Sequence, residues 1–189
     1  MVLEIRRSAP LAVACAAAAG VLAMAVGRAE DTKNTEVARP AQHHFVLKGK
    51  GQIFDKLKDE SVEVKLSAAQ TEGRYTVQDE HWHPGFDVPP HFHKEHAETF
   101  YLMDGQFEWT VGGEKHLMSA GDLVYIPPNT VHSVHVVGNK DAHVLFIYQP
   151  GGYEHYETRE MSYSEKDREK PEIKKMLREQ SDFHLAETK

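Results

Sequence analysis

The stretch PPHFHKEHAETF, from Pro89 to Phe100, contains three histidines and two glutamates. His91 and His93 are two residues apart, so on a β-strand their side chains point to the same face. Glu98 would face the other way if the strand continued unbroken, but a turn at 94–97 lets the following segment run back as the adjacent strand with Glu98 beside the histidines. The prolines before His91 fit the start of a strand better than its middle, because proline cannot donate to a ladder.

A fourth polar side chain with the right chemistry comes from a distant segment. PPNTVHSVH, residues 127–135, places His132 directly after a Pro-Pro-Asn turn. Three imidazoles and one carboxylate form a mixed nitrogen and oxygen site for a divalent first-row transition metal, and Fe, Mn, Ni, Co, Cu and Zn all accept such a set. The sequence therefore predicts that His91, His93, Glu98 and His132 bind one metal ion. The alternative is that they are ordinary polar groups of the fold.

Short segments rich in β-branched and aromatic residues surround this stretch, with Gly, Pro and Asn between them. Examples are SVEVKLS (61–67), ETFYLMDG (98–105) and AHVLFIYQPGG (142–152). Such a series of strands favours an antiparallel sandwich or barrel. A helical pattern occurs in the tail, where residues 164–180 place Ile173, Met176 and Leu177 on one narrow apolar stripe. We interpret this helix as a cover for an open end of the barrel rather than a partner-binding surface.

These residues resemble the two sequence motifs of the cupin family. The first motif is Gly, five residues, His-x-His, three or four residues, Glu, six residues and Gly, and it is matched by Gly85, His91, His93, Glu98 and Gly105. In the second motif Gly121, Pro127 and His132 match, whereas Asn129 replaces a glycine and Val136 replaces the final asparagine. Asparagine also tolerates the left-handed turn conformation, so the first replacement is mild.

The resemblance, from about residue 71 to residue 152, implies an all-β fold, the cupin-type double-stranded β-helix or jelly-roll barrel, with a short C-terminal helix. We expect a signal peptide or N-terminal anchor at 1–29, a flexible lead-in at 30–44, the barrel at 45–160 and a helical tail at 161–189. Cupin barrels commonly associate, so the resemblance also implies a homodimer.

The segment PGGYEHYE (150–157) is similar to that of quercetin dioxygenase-type cupins. This resemblance implies a dioxygenase that cleaves a small enolic or phenolic substrate with O2. Glu98, beside the metal, is the carboxylate near enough to accept the substrate's proton. One alternative is a non-redox metal-dependent isomerase, lyase or decarboxylase, and another is a non-catalytic module that binds a small ligand, because cupins host many functions.

Other histidines and aromatic residues have weaker patterns. His81 and His83 are also two apart, so either this pair or Trp82 alone points into the barrel, and we consider both histidines candidate acid–base residues. His96 is expected to be solvated in the turn, and His135 to face away because it is out of phase with His132. The strand aromatics predicted to lie in the core are Tyr101, Phe107, Trp109, Tyr125, Phe146 and Tyr148.

The N-terminus has the pattern of a secretory signal. Two arginines precede an uncharged, alanine-rich run at 8–27, and small residues lie just before Glu30. We expect cleavage after Ala29 and export to the periplasm or beyond; the alternative is an uncleaved anchor that holds the protein at the membrane. Cys15, the single cysteine, lies in this segment, so the mature chain would form no disulfide. A net charge of −7 without a basic stripe argues against nucleic-acid binding.

Overall fold

A computed structural model describes residues 42–55 and 59–187 of the chain. The predicted signal or anchor segment and most of the lead-in lie outside the described residues. The strands are β1 (Gln52–Phe54), β2 (Glu60–Leu66), β3 (Thr76–Trp82), β4 (Asp87–Phe92), β5 (Ala97–Asp104), β6 (Gln106–Val111), β7 (Glu114–Ser119), β8 (Leu123–Ile126), β9 (His132–Val136), β10 (Ala142–Gln149) and β11 (His184–Leu185). The helices are α1 (His155–Glu160), α2 (Glu165–Arg168) and α3 (Pro171–Glu179).

The strands form two antiparallel sheets. The larger sheet has the order β1-β2-β3-β10-β5-β8, and the smaller has the order β11-β4-β9-β6-β7. Strands that are neighbours in space but distant in sequence, such as β3 with β10, are typical of a jelly roll. The all-β prediction is confirmed. The expected pairing of β5 with β4 is wrong, because β5 pairs with β10 and β8 in the opposite sheet.

The core lies between the inward faces of the two sheets. Its fully buried members include Leu102, Phe107, Trp109, Val136 and Val144. Four of the six aromatics predicted for the core are buried: Phe107, Trp109, Phe146 and Tyr148. The prediction is wrong for Tyr101 and Tyr125, which are 42% and 55% exposed. The strand period of two explains Tyr101, because its neighbours Phe100 and Leu102 take the inward positions.

Two turns flank strands that carry predicted metal ligands: one follows β5, which carries Glu98, and the other precedes β9, which carries His132. Gly105, between β5 and β6, has φ 89°, and a Cβ there would lie 2.8 Å from the Cα of Ala142, so only glycine fits. Asn129 has φ 63°, the left-handed conformation that the motif position requires. Its backbone N–H donates to the carbonyl of His93 at 2.6 Å, which ties the two motifs together.

Residues 164–180 form two short helices, α2 and α3, rather than the single helix expected there, and α1 precedes them. Pro171 begins α3, because a proline at the first helical position loses no hydrogen bond but cannot continue a helix from before it. Leu177 of the predicted apolar stripe is 1% exposed. After α3 the chain returns to the barrel, where β11 pairs with β4. Among the residues described here, no helix is both long and apolar enough to cross a membrane.

Candidate metal centre

The four predicted ligands lie together inside the barrel. Glu98, on β5, faces the histidines of the smaller sheet: its Oε1 is 3.0 Å from Nε2 of His93, and its Oε2 is 2.8 Å from Nε2 of His132. Each of the four residues offers one ligand atom, and these atoms all lie within 4.8 Å of one another. All four residues are at most 4% exposed. We call His91, His93, Glu98 and His132 the four-ligand cluster.

The local strand geometry explains this convergence. His91 and His132 are direct partners across the β4–β9 ladder, so residues 41 positions apart in sequence are neighbours in space. Pro89 and Pro90 lie inside β4 rather than at its start, which corrects the expectation from sequence. The ladder register shifts between Val88 and His91, and such an irregularity accommodates residues that cannot donate.

Backbone carbonyl groups orient the three imidazoles. Nδ1 of His91 donates to the carbonyl of Pro89, Nδ1 of His132 to that of Thr130, and Nδ1 of His93 to that of Asp182, each at 2.8 Å. A carbonyl can only accept, so Nδ1 carries the proton, and in the neutral ring Nε2 keeps a free lone pair. This tautomer and this support are typical of metal-binding histidines.

The innermost atoms of the cluster have unmet polar requirements. Nε2 of His93, Nε2 of His132 and Oε2 of Glu98 are buried without a hydrogen-bond partner, even though the imidazole and carboxylate atoms approach to 2.8–3.0 Å. The Nε2 lone pairs of the imidazoles and the carboxylate oxygens of Glu98 repel one another at this distance, and a cation bound between them would remove this repulsion. The residues present therefore fit a divalent first-row metal.

The electrostatics of the cluster agree with this fit. Burial and the adjacent His132 lower the pKa of His91 to about 3. Burial alone would raise the pKa of Glu98, but the imidazoles of His132 and His93 lower it to about 2. Burial acts to lower the pKa of His93, but the contact with Glu98 outweighs it, so the net pKa of His93 is raised.

The C-terminal segment supports the four-ligand cluster. No local sequence pattern indicated this, because Asp182 lies 89 residues from His93. The Asp182 carboxylate accepts hydrogen bonds from the backbone N–H groups of residues 94–96 at 2.7–3.1 Å. It also lies 3.0 Å from Nδ1 of His96, whose side chain is 13% exposed, so the prediction of a solvated His96 is wrong. Phe183 stacks on His91, with ring centroids 4.1 Å apart and planes at 9°.

His81 and His83 lie outside the barrel interior. Trp82, between them, is 3% exposed and points inward, so the alternation of β3 turns both histidines outward. Their side chains are 48% and 47% exposed, and Nδ1 of His83 is 3.1 Å from Oδ1 of Asp141. Of the three candidate acid–base residues, the structure brings Glu98 to the cluster and leaves the two histidines on the outer surface. His135 also faces outward, as expected, with 52% exposure.

A cavity of about 200 Å³ adjoins the cluster and is lined by His91, Glu98 and His132. Its other walls are largely aromatic: Trp82, Phe86, Phe100, Trp109, Phe146, Tyr148, Tyr153, Tyr156 and Phe183. Tyr156 belongs to α1, and Arg178 of α3 also lines the cavity, so the C-terminal region covers this end of the barrel. The indole Nε1 of Trp109 is buried without a hydrogen-bond partner.

Three glutamates, which the sequence reading missed, line the same cavity. Burial and nearby carboxylates, Glu157 foremost, raise the pKa of Glu60 to about 8, and burial raises the pKa of Glu157 to about 8. Burial and Glu60 raise the pKa of Glu80 well above its ordinary value. With pKa values of about 8, Glu60 and Glu157 are mainly protonated at neutral pH and can donate hydrogen bonds. For Glu80, the available signal was its position on β3 in phase with Trp82.

Comparison with known proteins agrees with this architecture. A sequence profile of the cupin domain matches residues 78–148. The barrel thus contains a cupin domain. The four-ligand cluster lies within the matched residues of the cupin, whereas Asp182 and Phe183 lie beyond them.

Two curated relatives align with the cupin barrel. The chain is 32% identical over 95 residues to quercetin 2,3-dioxygenase of Bacillus subtilis (strain 168). The aligned region covers 48% of this chain and 27% of the relative. The chain is 34% identical over 68 residues to an uncharacterized protein of Methanocaldococcus jannaschii, which covers 36% of this chain and 54% of that protein. The chain thus spans about a quarter to a half of the length of these relatives.

Solved structures share the cupin fold at low sequence identity. KdgF from Halomonas sp. superimposes with a TM-score of 0.52 at 20% identity, over 59% of this chain and 99% of that one. An RmlC-like cupin from Shewanella frigidimarina NCIMB 400 gives a TM-score of 0.51 at 17% identity, over 60% and 96%. At such identities the likeness shows the fold alone.

Proposed function

We propose that this cupin is a metal-dependent dioxygenase that acts on a small enolic or phenolic compound. The observation that carries the proposal is the four-ligand cluster, with its unsatisfied Nε2 atoms, at the wall of an aromatic cavity. The similarity of 32% over 95 residues to a quercetin 2,3-dioxygenase supports the choice of reaction. That similarity covers 48% of this chain and 27% of the relative, and oxygen uptake by the metal-loaded protein tests whether the reaction is shared.

The side chains of the cavity have distinct roles in this proposal. A metal held by the four-ligand cluster would supply positive charge that stabilises the deprotonated oxygen of an enol or phenol. Glu98 is the ionised carboxylate at the cavity wall that accepts the hydroxyl proton. The aromatic walls pack against the substrate ring and exclude water, and the unpartnered Nε1 of Trp109 is a donor for a substrate oxygen.

The size of the cavity limits the substrate. Pockets that enclose drug-sized ligands have volumes of roughly 300–1,000 Å³, and this cavity has about 200 Å³. A compound with one ring, or a short chain with an enol, therefore fits better than a three-ring flavonol. Since Tyr156 and Arg178 close this end, a larger substrate would require the C-terminal region to move.

A second candidate is a non-redox metal-dependent isomerase, lyase or decarboxylase. The carboxyl groups of Glu60 and Glu157, which are mainly protonated at neutral pH, favour it, because such reactions transfer protons and both glutamates line the same cavity as Glu98. These two classes differ in whether O2 is consumed.

The test is oxygen uptake by metal-loaded protein. The chain is reconstituted separately with Fe, Mn, Ni, Co, Cu and Zn, its metal content is measured, and O2 consumption is recorded with single-ring enols, catechols and flavonols. We expect uptake with at least one metal and one single-ring compound. Glu98→Gln and His132→Ala should abolish it, whereas His83→Ala, on the outer surface, should retain it.

Each outcome assigns a function class. Turnover that proceeds at the same rate without O2 would refute the dioxygenase and support the isomerase, lyase or decarboxylase. Tight binding of a compound without product would support a non-catalytic binding module. A loss of uptake in His83→Ala as large as that in His132→Ala would refute the placement of the reaction in the barrel interior.

A further inference from the structure

The outer face of the larger sheet carries a second cluster of potential metal ligands. Asp79 and His81 are two residues apart on β3, so their side chains lie on the same face. His143, on β10, is the direct ladder partner of His81. One carboxylate oxygen of Asp79, one ring nitrogen of His81 and one ring nitrogen of His143 all lie within 4.8 Å of one another. We call Asp79, His81 and His143 the outer cluster.

The contacts within the outer cluster bracket the spacing that a metal requires. Oδ1 of Asp79 is 2.6 Å from Nε2 of His143 and 4.0 Å from Nε2 of His81. Two ligand atoms at about 2.1 Å from one tetrahedral ion lie about 3.4 Å apart. Since the three ligand atoms all lie within 4.8 Å of one another, small changes of the side-chain torsion angles that move each atom by about 1 Å or less would bring all three to that spacing.

The backbone beneath the outer cluster is well fixed. β3 lies between β2 and β10, and β10 lies between β3 and β5, so both strands are paired on each side. The two imidazoles are stacked, with centroids 4.0 Å apart and planes at 11°, so at least one ring must turn about its χ2 angle before both nitrogen lone pairs face one ion. Ligands held on paired strands keep their relative positions better than ligands on loops.

The surroundings leave room for the remaining ligands of an ion. The outer cluster lines an open groove with Ser61, Glu63 and Lys65, so water could complete the coordination. Lys65 Nζ lies 3.5 Å from Asp79 Oδ2 but is closer, at 2.6 Å, to Glu63. The ammonium group can therefore stay with Glu63 while Asp79 Oδ1 binds a cation.

We propose that the outer cluster is a second transition-metal site, distinct from the barrel interior, that binds a borderline divalent cation such as Zn²⁺. Two imidazoles and one carboxylate suit Zn²⁺ or Cu²⁺ and are a poor set for Ca²⁺ or Mg²⁺, which prefer oxygen ligands. The site joins β3 to β10, and the opposite face of β3 carries Glu80 and Trp82 of the cavity wall. Bound metal would therefore clamp the two strands that support that wall.

The test is the stoichiometry of Zn²⁺ binding by equilibrium dialysis of the full chain. We expect two Zn²⁺ per chain for the unaltered protein and one for His81→Ala, His143→Ala and Asp79→Asn. The asparagine variant keeps the size of the side chain and removes the carboxylate. His83→Ala is the matched control, since it removes an equally exposed imidazole of the next outward position, and it should keep two.

A second measurement separates binding from folding. Zn²⁺ should raise the thermal midpoint of the unaltered protein, as any ligand specific to the folded state does. In His81→Ala the part of this rise that depends on the outer cluster should be lost, while the midpoint without metal stays near that of the unaltered chain. Visible absorption of bound Co²⁺ gives the coordination of the site independently of activity.

The outcomes distinguish this site from the barrel interior. If His132→Ala lowers the stoichiometry by one and His81→Ala lowers it by another one, both sites exist. If the unaltered chain binds one ion that is lost in His81→Ala but kept in His132→Ala, the outer cluster binds metal and the interior does not. An unchanged stoichiometry in His81→Ala, His143→Ala and Asp79→Asn, or an equal loss in His83→Ala, would overturn the proposal.

Discussion

Replacing Asp182 with alanine should weaken metal binding although the Asp182 side chain contacts no metal ligand of the cluster. Its carboxylate holds the turn at residues 94–96 through three backbone N–H groups and His96, and its carbonyl orients His93. Asp182 also has φ 57°, a conformation that alanine adopts with strain. Without the carboxylate, the turn that connects His93 to Glu98 loses its fixed geometry.

The size of the effect follows from these contacts. The side chain of Asp182 is 12% exposed, and hydrogen bonds to a charged group contribute roughly 1.5–3 kcal/mol each. Since such contributions are not additive, we expect a loss of about 3–5 kcal/mol in the free energy of unfolding. That corresponds to a fall of roughly 6–20 °C in the thermal midpoint. Loss of a group that orients a metal ligand typically costs about 10–100-fold in metal affinity.

The assay is isothermal titration of metal-free protein with the metal that activates it, together with thermal unfolding. Asp182→Asn keeps a residue that tolerates the left-handed conformation and one acceptor oxygen, so it should fall between alanine and the unaltered chain. Asp167→Ala removes an aspartate of α2 whose side chain is 42% exposed, and it is the control for loss of a carboxylate in the tail. If Asp182→Ala is destabilised but binds metal with unchanged affinity, the C-terminal segment supports the fold and not the metal centre.

The same residue predicts a pH dependence. Burial acts to raise the pKa of Asp182, but the hydrogen bonds from His96 and the backbone of residues 94–96 lower it well below its ordinary value. A carboxyl group with a lowered pKa in the folded state stabilises the fold above the unfolded-state pKa, and this contribution is lost as the pH falls below about 4. The stability difference between Asp182→Ala and the unaltered chain should therefore shrink in acid.

Four further predictions test other parts of the structure. The pKa of Glu157 is raised from 4.5 to about 8, so between these pH values the folded state binds more protons than the unfolded state, and the stability of the fold should decrease as the pH rises. In urea unfolding, the free energy of unfolding of Glu157→Gln should rise by roughly 2–4 kcal/mol relative to the unaltered chain between about pH 5 and pH 8. A difference that does not depend on pH would contradict this. Leu177→Ala truncates a side chain that is 1% exposed and should lower the free energy of unfolding by about 2–4 kcal/mol. Ile173→Ala, at a partly exposed side chain, should lower it by less. Equally small effects of both substitutions would show that α3 does not cover the barrel. The export proposal predicts that mass spectrometry finds a mature chain beginning at Glu30, and retention of Met1 in a membrane fraction would refute it. The homodimer proposal predicts contact through the edge strand β8, where Leu123 and Tyr125 are 60% and 55% exposed. Tyr125→Glu should then shift the sedimentation coefficient to that of a monomer. An unaltered chain that sediments as a monomer would refute the homodimer proposal.

Local sequence patterns determined the strands and the identity of the clustered residues. His91, His93 and His132 were recognisable because strand alternation and turn residues fix which neighbours share a face. The same local rule predicted Glu98 beside the histidines, and this is where it lies. The expected pairing of β5 with β4 was wrong, however, because β5 faces the histidines from the opposite sheet. For His81 and His83 the period of two allowed either face, and the sequence could not choose between them.

The choice of face depended on contacts between segments far apart in the chain. Trp82 turns inward because it packs on Phe86 and Phe107 in the core, and this sends His81 outward to meet His143 from a strand about sixty residues later. Asp182 and Phe183 carry no local signal, because their partners at residues 91–96 lie nearly ninety positions earlier. The sequence alone thus determined strands, turns and the types of side chain available, since these depend on neighbours within a few residues. Only the tertiary structure decided which side chains share the cavity, which carboxyl groups stay protonated and which segment supports the metal centre, since burial and proximity arise when distant strands pack together.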